Sequence, residues 1–314
     1  MMERFDQYQE RSLYDPDIGF YAAGGRAGRR DADFITSPEV GPLFGTVLAR
    51  AIESWWSDAG KPPTWTVAEA GAGRGALAAS IVRNIDPAVP LRYVCVERSA
   101  ALRAAAGELL RRGADVVSEL PPHADVILAN ELLDNLPVRI VEMSETGWQE
   151  LYVPESLAPT DRGLDLAVAI GARLPVLDSA AAWISDARTR ASRVVAFDYG
   201  VATTAELIER TWLRTYARHG RDCNPFVEPG SVDITVDIAV DQLPRPTAVT
   251  TQAEFLEHWG IDDLVDEGRR IWTERAHLGD LEAMVARSRI REAEALTDPA
   301  GLGGFLVLEW DVSQ

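Results

Sequence analysis

Residues Thr64 to Ser80 read TWTVAEAGAGRGALAAS. A β-prone run, Trp65-Thr66-Val67, leads to a carboxylate at Glu69, and glycines follow at every second position, Gly71, Gly73 and Gly75. An alanine-rich, helix-forming run comes next. Glycine there lets the chain turn sharply and lets a ligand lie against bare backbone. The following helix presents unpaired N–H groups and the positive end of its dipole at the same spot. Gly71, Gly73 and Ala76 formally meet the dinucleotide fingerprint. A tight strand-to-helix turn with no ligand reads the same way.

Three features bear on the choice between S-adenosylmethionine (SAM) and a nicotinamide dinucleotide, and together they favour SAM. Glu69, two residues before the first glycine, suits an ammonium and would repel a pyrophosphate. Glu97 ends the apolar run LRYVCVE, placed to accept both hydroxyls of a ribose; it marks a nucleoside without choosing between the cofactors. ILANELLDNLP (127–137) sets a polar cluster after another apolar run, at the edge where open α/β sheets bind ligands. Asn130 is its cofactor candidate. Glu131 and Asp134, three residues apart, share one face; first-turn acids complementing a helix dipole would look alike. Ser118 and Glu119 follow a short third strand, where an adenine would lie. Asp198 and Tyr199 end a further strand and reach the same edge.

These residues need a frame. WTVAEA, GALAASIVRNI, LRYVCVE, SAALRAAAGELLRRG and ADVILAN alternate strand and helix with short links, which predicts a parallel sheet covered on both faces. RVVAFDYG and GFLVLEW add strands. TSPEVGPLFGTVLARAIESWW predicts one helix, with Ser37 as its cap, Pro38 in the first turn and Leu43, Val47, Leu48, Ala51 and Trp55 on one face. VRIVEM and WQELYV predict a hairpin turning at 144–147, with LDLAVAI (164–170) as a third strand. The glycine- and arginine-rich segment 22–33 predicts a mobile loop. Residues 201–246 read as loops, and TQAEFLEHWG and 262–295 as helical.

The 314 residues, 46% hydrophobic and 25% charged, have an ordinary globular balance. No apolar run approaches the roughly 18 residues of a spanning helix, so no membrane partner is expected. MMERFDQYQERS lacks a signal-peptide pattern. Cys95 and Cys223, far apart, make no disulfide framework, and a cytoplasmic location is expected. No metal is expected either, because the four histidines are scattered. A net charge of −18 argues against nucleic acid as the main partner and suits a cationic or neutral one.

Seven segments together resemble the MidA-type SAM-dependent methyltransferases: LYDPDIGFY (13–21), DFITSPEVGPLFG (33–45), EAGAGRGAL (69–77), ANELLDNLPVRIV (129–141), FDYG (197–200), PGSVDIT (229–235) and TQAEFLEHWGI (251–261). They follow the family's order through most of the chain. The resemblance implies a class I methyltransferase (Rossmann-like) α/β fold. Its seven-stranded mixed sheet carries helices on both faces, and the last strand is antiparallel and inserted between neighbours. It implies SAM as cofactor, an arginine of a partner protein as acceptor, and Glu131 and Asp134 as catalytic carboxylates beside the donor methyl. It makes Ser37, Pro38 and Glu39 a lid over SAM, although capping alone would also account for them.

The chain is then one catalytic domain. Residues 1–60 form an N-terminal lid segment and helix, and 61–200 the SAM-binding core with a hairpin insert near 138–170. Residues 201–246 cover the substrate, and 247–314 form a helical insert and closing strand. Where the family carries a histidine after the DIT motif, this chain reads Val236-Asp237-Ile238. A small-molecule methyltransferase and a non-catalytic SAM-binding assembly factor are the competing readings.

Overall fold

The computed structural model describes residues 2–22, 36–110, 113–217, 220–222 and 224–312. Its central sheet is built from β1 (Trp65–Ala70), β2 (Leu91–Val96), β3 (Asp115–Val117), β4 (Ala124–Asn130), β5 (Ala191–Asp198), β6 (Ala248–Thr251) and β7 (Leu306–Asp311). The strand order is β3-β2-β1-β4-β5-β7-β6. β1 to β5 pair in parallel, and β7 runs antiparallel between β5 and β6. The central strands are nearly continuous apolar runs because both faces are covered. Asn130 pairs with Phe197 at the end of the β4–β5 ladder, and Ala70 with Val96 at the end of β1–β2. The carboxyl ends of four strands therefore open on one edge.

On one face lie α3 (Leu43–Asp58), α4 (Ala76–Asn84), α5 (Ala100–Leu110), α7 (Gln252–His258), α8 (Ile261–Arg275) and α9 (Leu281–Thr297), packed through Leu48, Ile81, Phe255 and Leu264. The other face is covered by α1 (Phe5–Tyr14), α6 (Asp178–Arg190) and an antiparallel insert, through Phe5, Ile184, Ile140 and Leu174. No helix among the described residues is long and apolar enough to cross a membrane.

Four local expectations change. The segment after Thr36 forms two helices, a short α2 (Ser37–Val40) and α3. Thr36 is the N-cap, with Glu39 completing its capping box, and Ser37 is the first helical residue. Gly41 separates the two: a Cβ there would fall 2.2 Å from Glu292, whose carboxylate accepts the Leu43 N–H. In the insert the hairpin turns at 144–147 as expected, but its outer strand is Ser156–Pro159. Residues 164–170 form no strand. Leu164, Leu166 and Val168 pack on the core, while Arg173–Val176 takes the place beside Arg139–Ser144. Segment 201–246 contains a three-stranded antiparallel sheet, Leu213–Ala217, Gly220–Asp222 and Asp233–Val236. The helical segment 262–295 is two helices, broken at Gly279 with φ +60°. The loop expected at 22–33 lies, beyond Ala22, outside the described residues.

Candidate active site

Gly71, Gly73 and Gly75 all adopt left-handed backbone, with φ of +70°, +54° and +80°. A Cβ on Gly71 would come 3.1 Å from Leu132, and one on Gly75 3.1 Å from Leu110. At Gly73 the nearest atom is 4.0 Å away, so open space lies above the middle of the loop. The Glu97 carboxylate, 8% exposed, accepts the Gly73 N–H at 2.9 Å and the Ser99 N–H at 2.7 Å. Burial raises its pKa, and these amides oppose the rise. Ser118 and Glu119 are exposed just beyond β3, next to Val117, whose carbonyl accepts the Glu97 N–H.

Glu69 departs from the ammonium-binding role expected of it. Strand alternation puts it on the face of Val67, beneath α4. It is 4% exposed and accepts the Tyr93 hydroxyl at 2.8 Å and the Ala78 amide in the first turn of α4. Burial pushes its pKa up to about 7. The group supports the glycine loop from below.

Glu131 follows β4 with φ +50°, a backbone state rare outside glycine and costly by about 1–3 kcal/mol. Its N–H is tied to Phe197 O at 2.8 Å. Beyond it, Leu133–Asn135 makes a single 3-10 turn, too short for the helix-dipole alternative. Asp198 holds that turn, accepting the Leu133 N–H at 2.8 Å and the Asp134 N–H at 3.3 Å. Tyr199 donates its hydroxyl to Asp134 Oδ2 at 2.5 Å. Asp134 is 3% exposed, and its Oδ1 has no hydrogen-bond partner among the described residues; neither has the buried Oδ1 of Asn130. Asn130 Nδ2 donates to Glu131 at 3.2 Å. Burial, then the Asp134 charge, pushes Glu131 up to about 8, and burial pushes Asp134 up to about 7.

The backbone of α2 borders the site, whereas the Ser37 side chain does not reach it. The Ser37 N–H faces the Glu131 carboxylate and lowers its pKa, which brings Ser37-Pro38-Glu39 to the site. The Ser37 hydroxyl is buried away from it, donating to Gln252 at 2.8 Å. Glu39 accepts the Thr36 N–H.

Other residues at this edge carried no individual sequence signal. Asp233 accepts from the Tyr21 hydroxyl at 3.0 Å and from Asn135 at 3.1 Å, and Tyr14 stacks on Tyr21. Their only trace was membership of LYDPDIGFY, ANELLDNLPVRIV and PGSVDIT. Arg214 lies over the Tyr199 ring, 4.9 Å from its centroid, and pairs with Asp237.

The open space above Gly73, the spare lone pairs of Glu97 and the unpartnered Asn130 acceptor fit a nucleoside cofactor with a cationic amino-acid tail. Residues 47–257 match the model of the S-adenosyl-L-methionine-dependent methyltransferase family. The chain belongs to that family. This methyltransferase is 25% identical to the mitochondrial protein arginine methyltransferase NDUFAF7 of Mus musculus, over 82% of its own length and 70% of that protein's. It is 26% identical to the Homo sapiens protein, over 82% and 69%. A Burkholderia thailandensis protein crystallised with S-adenosylhomocysteine superposes with a TM-score of 0.77 at 27% identity, covering 98% of this chain and 87% of that one. A native crystal structure from the same organism gives 0.81 at 28%, covering 99% and 87%. The class I fold and SAM dependence expected from the sequence both stand.

Proposed function

We propose that this methyltransferase transfers the methyl group of SAM to an arginine side chain of a partner protein. The observation that carries the reading is the buried Asp134 Oδ1, without a hydrogen-bond partner among the described residues, in a cluster of carboxylates with Glu131 close by. A desolvated carboxylate cluster is costly unless a cation joins it. A guanidinium, with pKa above about 12, supplies that charge and matches carboxylate geometry. The arginine methyltransferases among the relatives support the same acceptor.

Bound SAM supplies a methyl group already activated on a sulfonium. The chain's own residues align, exclude water and move a proton. The glycine loop, Glu97 and Asn130 hold the cofactor. Glu131, braced by the Ser37 amide, and Asp134 orient the guanidinium. As the acceptor nitrogen gains the methyl it sheds a proton, which Asp134 Oδ1 accepts. Asp198 and Tyr199 fix that oxygen's position.

The test is transfer of labelled methyl from SAM in cell extract, followed by hydrolysis of the labelled protein. Methylarginine supports the reading; label in small molecules alone overturns it. SAM binding with transfer to no fraction would favour a docking factor, the reading that the altered segment 236–239 keeps open.

A further inference from the structure

The mechanism above does not use Arg214 or Asp237. Arg214, on the strand Leu213–Ala217, pairs through Nη2 with Asp237, and both side chains are largely buried. Asp237 is held in place by its N–H, which donates to Trp212 O at 2.8 Å. The guanidinium lies over Tyr199, whose hydroxyl is the donor to Asp134 Oδ2. A planar guanidinium is well suited to an aromatic face, and a desolvated carboxylate partner keeps it there.

We infer that Arg214, anchored by Asp237, is a positioning residue for methyl transfer: it clamps the Tyr199 ring so that the phenol holds Asp134 Oδ2 and leaves Oδ1 to the acceptor. The inference rests on the role given to Asp134 above. Asp134 needs such support because acids crowd it: Glu131 from its own loop, Asp198 at the end of β5 and Asp233 on the strand Asp233–Val236. The phenols of Tyr14 and Tyr21 pack in from the N-terminal segment. Arg214 is a cation set against them among the described residues, and it lowers the Asp134 pKa that burial raises.

The experiment compares wild type with Arg214→Gln, Arg214→Lys and Asp237→Asn in kcat, KM, SAM affinity and pH profile. Arg214→Gln is expected to bind SAM within about twofold of wild type and to lose at least about tenfold in kcat. The acid limb of its profile should move to higher pH, since the charge opposing protonation of Asp134 is gone. Arg214→Lys keeps the charge, so its limb stays in place and part of the rate returns. Asp237→Asn falls between. A rate loss that follows SAM affinity with an unmoved limb would make the pair a structural brace and overturn the inference; so would a wild-type rate in Arg214→Gln. The same shift can be read without turnover by carbon-13 NMR titration of the Asp134 carboxyl, assigned by its loss in Asp134→Asn. An inactive wild type would thus sink the arginine reading alone, and an unshifted Asp134 titration in Arg214→Gln would sink the clamp alone.

Discussion

The Glu97 carboxylate accepts the Gly73 backbone N–H at 2.9 Å, so the residue at the end of β2 also braces the middle of the glycine loop. Glu97→Ala removes that brace together with the carboxylate proposed to accept the ribose hydroxyls. Hydrogen bonds to charged groups contribute about 1.5–3 kcal/mol each. Calorimetry with SAM should show at least about a tenfold loss of affinity. An unchanged dissociation constant would reduce Glu97 to a loop support.

Gly73 and Gly75 should fail in different ways. Valine at either must adopt left-handed backbone, at roughly 1–2 kcal/mol. At Gly73 the new side chain enters open space, whereas at Gly75 it meets Leu110 at 3.1 Å and Ala106 at 3.3 Å. Gly73→Val is expected to melt slightly below wild type and to lose SAM binding. Gly75→Val should melt distinctly lower. Normal SAM binding by folded Gly73→Val would mean that the cofactor does not lie on this loop.

The Ser37 hydroxyl donates to Gln252 Oε1, and Gln252 Nε2 donates in turn to Leu296 O at 2.9 Å. Ser37→Ala leaves a fully buried amide oxygen unpaired, which costs about 1–3 kcal/mol. The melting temperature should fall while SAM affinity stays close to wild type. A large loss of affinity at unchanged stability would restore a direct cofactor role for the hydroxyl.

That pair also marks where reading the sequence stops. Ser37 and Gln252 are 215 residues apart, and nothing near either announces the other. The strands β1, β2, β4 and β5 were legible because burial on both faces leaves one apolar run per strand. The glycines were legible because only glycine takes three left-handed positions in five residues without strain. Glu69 was misread although the signal was present: Val67 and Glu69 share a strand face, and that face is covered by helices. The strands Leu213–Ala217 and Asp233–Val236 mix polar and apolar residues, since Arg214 and Asp233 turn to Tyr199, Tyr21 and Asn135. The antiparallel β7 came from the family resemblance and not from any periodicity.

Stability and activity should move in opposite directions with pH. Burial holds Asp233 at about 6, Asp134 at about 7 and Glu131 at about 8, and keeps Asp198 well above the usual range. A carboxyl with a raised folded pKa contributes stability that is fully present below its unfolded value, about 4, and is lost as pH rises through the folded value. The ligand-free protein should therefore melt at a lower temperature at about pH 8.5 than at about pH 5.5. Methyl transfer needs Asp134 and Glu131 ionised and should rise across that window. A melting temperature that climbs with pH would contradict the burial of these acids.

Asp134→Asn separates catalysis from binding. The amide nearly preserves size and can still accept from Tyr199, so SAM affinity is expected within about twofold of wild type. It cannot pair with a guanidinium charge or take up its proton. Transfer should fall at least tenfold, about 1.4 kcal/mol of barrier. Glu131→Gln should also slow transfer and should lose some SAM affinity, because Glu131 bonds with Asn130 at the cofactor edge. Tyr199→Phe keeps the acid and removes the 2.5 Å donor that lowers its pKa. Its rate should recover at high pH, which that of Asp134→Asn cannot do. If Asp134→Asn and Glu131→Gln both label protein at the wild-type rate, these carboxylates are not the acceptor site.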